Sequence, residues 1–374
     1  MYCRHFNAGI CRSCSLLDMA ADQALNAKSV RLQKLFPDAA KICDFPAEVP
    51  PEGNRIRAKL AISGSTDFPV IGFHGPNRQL IAVDDCALHH PEINRFAAEI
   101  RQLIREYKLT PFNVELNTGE LKFVVLTYSP SHQQIMVQWV LRSLEAVDRI
   151  RKLAATIQQS HSIAVMSVNV QPQRAAVIQG RQEIIVSESD VLPVTMCERT
   201  LYYGPQSFIQ TSYPVAQQLY QAVKDLLRSR RARRMLELYC GVGAFSLTAA
   251  DELTIGLGLE ISSDAIRCGN RAAELNRLPG LKFHQHDSQT PTSQQLIHGK
   301  WDVAICNPPR RGLDSEAVQL LNTVNAQTLV YSSCNPETLR RDVDAFPEYK
   351  LREIRPFNMF PMTEHMEVVA VLER

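Results

Sequence analysis

Two groups of residues in this 374-residue chain have the types and spacing to do chemistry. Cys334 follows the apolar, β-branched run Thr328 to Ser332 and precedes Asn335-Pro336, where a strand must stop. A thiol at such a strand end faces the crevice in which open α/β sheets bind ligands, and its thiolate is a nucleophile. The run Asp302 to Cys306 ends in the same way, in Asn307-Pro308-Pro309-Arg310, and brings Asn307 to the same edge. Glu367 opens the otherwise apolar strand Val368 to Leu372; a carboxylate there is either a solvated strand end or a partly buried base with a raised pKa. Position alone leaves both open. The second group is C-x7-C-x2-C, formed by Cys3, Cys11 and Cys14, with Cys86 far along the chain. Four thiolates suit tetrahedral zinc or an iron–sulfur cluster, and spacing alone leans to zinc. Cys43 is a rival ligand, while Cys197, Cys240, Cys268 and Cys306 read as buried, inert thiols.

A third feature suggests a cofactor. The strand Met235 to Tyr239 runs into Cys240-Gly241-Val242-Gly243 and a helix from Ala244 to Ala250. Glycines at such a bend let a ligand approach the backbone closely. Glu260 ends the next strand, 19 residues after Gly241, where an acid meets ribose hydroxyls in nucleotide-binding folds. Ser246 stands where a dinucleotide motif has its third glycine. A pyrophosphate is therefore disfavoured, and S-adenosylmethionine, which needs the glycine approach and the ribose acid but no phosphate nest, fits better. Asp287 is either an adenine contact or a loop cap.

The elements that must position these groups divide the chain. From Gly53 to Met196 the pattern is strand-rich, with alternation in Arg55 to Leu60, runs at Lys122 to Thr127, Ile135 to Leu141 and Ile163 to Val170, and helices near Pro91 to Tyr107 and Leu144 to Gln158. After Leu201 strands alternate with helices, the mark of a parallel sheet. We expect an α+β domain over 1–200 and an α/β, Rossmann-like domain over 201–374, closed by a hairpin-like pair, Leu351 to Phe357 and Met366 to Leu372, on one edge. Apolar residues make up 45% and charged residues 21%, so the chain folds. Lys plus Arg (41) nearly balance Asp plus Glu (39), which excludes a bulk polycation and confines any nucleic-acid site to a local patch. No apolar run approaches the roughly 20 residues of a membrane span, and no signal core opens the chain. A cytoplasmic location is expected, where cysteines stay reduced.

The ordered segments Asn307-Pro-Pro-Arg-Arg-Gly312, Leu329-Val-Tyr-Ser-Ser-Cys334-Asn-Pro-Glu-Thr338 and Phe360-Pro361 to His365-Met-Glu367 resemble the two signatures of the RNA uracil-5-methyltransferase family. The resemblance runs from Cys3 to the end, and is strongest to the family's compact 23S rRNA enzymes. It implies a class I methyltransferase fold and methyl transfer from S-adenosylmethionine to uracil C5. Cys334 would be the nucleophile that adds at C6, and Glu367 the base that removes the C5 proton. Gln210, Tyr239, Glu260 and Asn307 match the family's cofactor contacts. For Cys3, Cys11, Cys14 and Cys86 the resemblance reverses the leaning to zinc and implies a 4Fe-4S cluster of structural role. Asn358 stands where the family usually has Asp, Met362 where it has His, Gln or Tyr, and Tyr239 where Phe is commoner.

For RNA, Arg55, Arg57 and Lys59 alternate on one strand face and resemble the family's RNA-proximal strand, making them the better phosphate candidates. Arg310, beside the pocket, could hold a phosphate flanking a flipped base. The run Arg228 to Arg234 reads as a solvated helix end. The expected partner is 23S rRNA, with no membrane and no obligate protein partner implied. Three other readings compete. A cytosine-5 RNA methyltransferase could use Cys306. An adenine amino-methyltransferase would want an aromatic where Arg310 stands. The third is a non-catalytic iron–sulfur RNA-binding protein.

Overall fold

Alternating apolar side chains place most strands of the described residues in two large sheets, each with its own core. In the computed structural model, residues 1–75, 79–157, 160–173, 177–286 and 297–374 are described. A two-residue strand, β1 (Lys41–Ile42), comes first, and then β2 (Arg57–Gly64), β3 (Pro69–His74), β4 (Leu80–Ala82), β5 (Leu121–Ser129), β6 (Gln134–Leu141), β7 (Ile163–Val170) and β8 (Gln182–Ile185). The last seven form one sheet in the order β4-β3-β2-β5-β6-β7-β8. Its strands pair antiparallel except β6 with β7, which are parallel and joined through the helix Val147–Ile157. That helix and Pro91–Glu106 bury their apolar stripes, including Ile93, Phe96, Ile100, Ile150 and Leu153, with the strand residues Leu60, Val124, Val137 and Trp139.

A hairpin of β9 (Leu192–Met196) and β10 (Arg199–Tyr203) follows. Next come β11 (Arg234–Leu238), β12 (Ile255–Glu260), β13 (Leu281–Gln285), β14 (Val303–Cys306), β15 (Thr328–Ser333), β16 (Lys350–Phe357) and β17 (Glu367–Glu373). They join β1 in an eight-stranded sheet of order β1-β16-β17-β15-β14-β11-β12-β13. β11 pairs in parallel with β12 on one side and β14 on the other, so the strand order reverses beside it. Ligands of doubly wound sheets bind at such a switch point, outside the carboxyl ends of the strands. β17 runs antiparallel between β15 and β16.

The domain cut expected at 200/201 differs from the division the chain makes. The first unit comprises Met1–Cys14, Pro50–Val194 and Tyr203–Tyr213; the second comprises Ser15–Val49, Thr195–Tyr202 and Pro214–Arg374. The reason is apolar burial: Leu32 and Phe36, on and just after the helix Ala21–Leu35, lie in the core of the second sheet with Leu236, Leu257 and Leu329. The strand pair expected at the edge is also covered there, because β1 pairs in parallel with β16.

Candidate active site

The carboxyl ends of the second sheet gather the cofactor candidates. Strand β11 ends in a backbone that few residues tolerate: Tyr239 has φ +55°, Gly241 φ +55° and Gly243 φ +76°. The two glycines do different work. A Cβ on Gly243 would lie 2.1 Å from Phe283 Cε1, so that position needs glycine for packing. A Cβ on Gly241 would meet nothing within 4 Å, so there the loop borders open space. Glu260, at the end of β12, accepts from the Gly241 N–H at 3.1 Å and from the Ser262 N–H at 3.0 Å. Tyr239 donates its hydroxyl to Asp314 Oδ2 at 3.4 Å. Asn307 is tied to the same strand end, its N–H donating to the Leu238 carbonyl at 3.4 Å. Tyr239, Gly241, Glu260 and Asn307 thus converge on the end of β11. Gln210 is buried in the first unit. Asp287 lies outside the described residues.

Sequence reasoning missed Glu237. It is 1% exposed inside β11 and accepts from the Ser246 N–H at 3.0 Å and from the Ser246 hydroxyl, stapling the short helix Ala244–Thr248 to the strand. Burial pushes its carboxyl up to about 7, against the Ser246 hydrogen bonds. The signal available was an acid within an otherwise apolar strand.

The thiol and the base meet at the ends of β15 and β17. Cys334 is half-buried just beyond Ser333, and Asn335 caps the helix Pro336–Val343 by accepting from the Glu337 N–H at 3.2 Å. The Asn335 amide and the Thr338 hydroxyl donate to the Arg310 carbonyl at 3.2 and 3.3 Å, which pins the Asn307–Gly312 loop against the cysteine. Burial pushes the Cys334 thiol up and the nearby Glu367 carboxylate pushes it further; a hydrogen bond with the Arg310 side chain opposes both. The positive charge of Arg310 likewise favours the thiolate. Glu367 is 2% exposed, and Ser332 Oγ donates to its Oε1 at 2.6 Å. Burial raises its pKa to about 7, with the Ser332 hydrogen bond pulling the other way. Of the two options left open for Glu367, the structure takes the buried one. Cys306 is 0% exposed in the core and burial drives its pKa well up, so it is sealed from any substrate.

In the first unit, Cys3, Cys11, Cys14 and Cys86 line one cavity of about 160 Å³, together with His5, Arg55 and His89. Burial raises Cys14 to about 11, and proximity to Cys86, Cys11 and Cys3 adds to the rise, while Arg55 opposes it. Four thiols on one cavity have the chemistry of a thiolate-held metal group, whose positive charge would offset that repulsion. Among the described residues, however, no three His, Cys, Asp or Glu side chains stand in metal-holding geometry. Cys43 belongs to the second unit.

The three strand cations alternate with the buried Ile56, Ala58 and Leu60 as expected, but they face different surroundings. Arg55 turns into the cysteine cavity. The guanidinium of Arg57 donates to the carbonyls of Ser207 at 2.6 Å and Pro205 at 3.4 Å, and burial lowers its pKa to about 10. Only Lys59 of the three is exposed. In the other basic run, Arg230 pairs with Glu373 at 2.6 Å and Arg234 lies over the Trp301 ring, in keeping with a local role. Among the described residues no helix is long and apolar enough to cross a membrane.

A doubly wound sheet with an antiparallel β17, a glycine-bend cofactor crevice and a thiol–carboxylate pair at its lip defines a methyltransferase-type α/β protein. The sequence profile described as tRNA (Uracil-5-)-methyltransferase matches residues 20–374, and the chain belongs to that family. Relatives named 23S rRNA (uracil(747)-C(5))-methyltransferase RlmC include one from Shewanella sp. (strain W3-18-1), 33% identical over 99% of this chain and 96% of its own. Another, from Escherichia coli (strain SE11), is 34% identical over 100% of this chain and 99% of its own. A solved structure, Pyrococcus abyssi tRNA (uracil-54, C5)-methyltransferase in complex with S-adenosyl-L-homocysteine, superimposes with a TM-score of 0.79 at 25% identity, covering 96% of this chain and 85% of that one.

Proposed function

We propose that the protein transfers a methyl group from S-adenosylmethionine to C5 of a uridine in 23S rRNA, through a transient bond between Cys334 and uracil C6. The observation that carries this reading is the juxtaposition, within one unit, of a half-buried thiol, the Arg310 loop tied to the residues just after it, and a buried carboxylate on the neighbouring strand whose pKa is raised to about 7. Relatives similar along nearly their whole length bear the rRNA name, which supports the substrate.

Uracil C5 is too weak a nucleophile to take a methyl group unaided. Cys334, as thiolate, adds to C6, and the electrons of the C5–C6 double bond move toward O4. Arg310 stabilises the thiolate before it adds. S-adenosylmethionine supplies an electrophilic methyl for the activated C5. Glu260, Gly241, Gly243, Tyr239 and Asn307 are the residues that would hold it, Glu260 through its ribose hydroxyls. Glu367 then takes the C5 proton, the C5–C6 double bond re-forms, and the thiolate leaves. A carboxylate with a pKa near 7 suits that step, being ionised in much of the population yet basic enough to accept a proton.

In the same reading Cys3, Cys11, Cys14 and Cys86 hold a 4Fe-4S cluster. Held by those four thiols, such a cluster would tie the N-terminal segment to the rest of the first unit, and the methyl-transfer scheme would need no electron from it. Lys59 is the remaining strand cation for RNA phosphate.

Incubation with 23S rRNA substituted with 5-fluorouridine tests the chemistry, because fluorine at C5 blocks proton removal. A protein–RNA adduct whose linked peptide contains Cys334 is expected; linkage elsewhere, or 5-methylcytidine as the product on normal RNA, refutes it. Anaerobic purification tests the cluster, with iron and sulfide in equal amounts expected and zinc without iron overturning it.

A further inference from the structure

One buried cation in the catalytic unit has no part in the scheme above. Lys28, on the helix Ala21–Leu35, is 3% exposed. Its Nζ donates to Asn358 Oδ1 at 2.7 Å and to the Phe360 carbonyl at 3.1 Å. Both acceptors are neutral. An ammonium buried against neutral acceptors is a poor source of stability, since its desolvation is offset only by two hydrogen bonds.

What Lys28 holds is specific. Residues 358–366 form the loop joining β16 to β17, and the residues at its roots, Phe357 and Glu367, are direct register partners. The same N-terminal stretch grips this loop twice more. The Leu16 N–H donates to the Met362 carbonyl at 3.1 Å, and Arg31 donates to the Glu364 carbonyl at 3.0 Å. Arg31 also pairs with Glu337, on the helix that follows Cys334. Three contacts spaced along the loop leave it little freedom to shift, and Glu367 is the residue at which it ends.

We propose that Lys28 is a positioning residue for proton removal: by pinning the start of the 358–366 loop it fixes the Glu367 carboxylate over C5, and it takes no part in addition of the thiol to C6. The proposal rests on the roles given above to Cys334 and Glu367. A merely structural lysine would, when replaced, weaken every step together through loss of folded protein. A positioning lysine separates the steps.

The test uses full-length Lys28→Met, Lys28→Arg and Asn358→Leu proteins, with folding checked by thermal melting, and unmodified 23S rRNA tritiated at uracil C5. Adduct formation is followed on denaturing gels and proton removal by tritium release to water. For Lys28→Met we expect adduct to form at the wild-type rate and to accumulate, with tritium release slowed on the order of 10- to 100-fold and KM for RNA and S-adenosylmethionine unchanged. Lys28→Arg should restore part of the release, and Asn358→Leu, which cuts the same bond from the loop side, should repeat the defect. Tritium release at the wild-type rate, or adduct formation and release falling together in folded protein, overturns the proposal. If Lys28→Met does not fold, Asn358→Leu decides by the same criteria. Wild-type protein that forms no adduct even with 5-fluorouridine-substituted RNA would instead refute the roles of Cys334 and Glu367, and the proposal with them.

Discussion

Replacing Glu367 by Gln keeps the shape of the side chain and removes its charge, so the buried carboxylate can be tested for stability and for chemistry at once. The group is 2% exposed, and the amide oxygen of Gln can still accept the 2.6 Å bond from Ser332. In the folded protein burial raises the pKa from 4.5 to about 7. The folded form therefore holds its proton more tightly than the unfolded chain, so this group lowers stability as pH rises from about 4.5 to about 7. Across that window the loss amounts to about 3 kcal/mol, fully developed only above pH 7. Gln has no proton to lose. Urea unfolding should find wild type and variant similar at pH 4.5, with the variant ahead by up to about 3 kcal/mol at pH 8.5. The same variant should still form the Cys334 adduct but lose turnover by about 10²- to 10⁴-fold. In wild type, single-turnover rates should climb with pH through about 7 as the carboxylate ionises. A variant no more stable than wild type at high pH, or one with undiminished turnover, would refute the assignment of a buried, ionising base.

Other outcomes follow from individual contacts. Ser332→Ala removes the hydrogen bond that favours ionised Glu367, so the acid limb of the pH–rate profile should move to higher pH. Gly243→Ala drives a methyl into Phe283 at a positive φ and should lower stability by about 2–5 kcal/mol in thermal melts. Gly241→Ala meets open space, so only about 1–2 kcal/mol of backbone strain is expected, together with weaker S-adenosylmethionine binding by calorimetry. A small thiol reagent should label Cys334 and leave the fully buried Cys306 intact in folded protein, as read by peptide mass mapping; equal labelling would count against the assigned nucleophile.

Much of the catalytic unit was legible because its strands are short apolar runs stopped by glycine or proline. The expected bounds Thr328 to Ser332 and Asp302 to Cys306 fall within a residue of β15 and β14. Pairing was less legible. Nothing local in Lys41–Ile42 says that it will cover β16, and nothing in helix Ala21–Leu35 says that Leu32 joins the second core rather than the first. Alternation in Arg55 to Leu60 correctly marked Ile56, Ala58 and Leu60 as buried. It could not say where the cations would reach, and Arg57 satisfies itself on the carbonyls of Pro205 and Ser207, residues that only the fold brings near.

By itself the sequence determined the reactive groups and their order, since a thiol before Asn-Pro, a carboxylate at the head of an apolar strand and a glycine bend after a strand are local chemical facts. The tertiary structure decided how those groups behave. Whether Glu367 is a solvated carboxylate or a base near pH 7, whether Arg57 is free for phosphate or satisfied on the carbonyls of Pro205 and Ser207, and what holds the loop before the base all depend on distant segments. Ionisation and orientation are set by the solvent that neighbours exclude and the partners they offer, and residues 330 positions apart, such as Lys28 and Asn358, become partners only when the chain has folded.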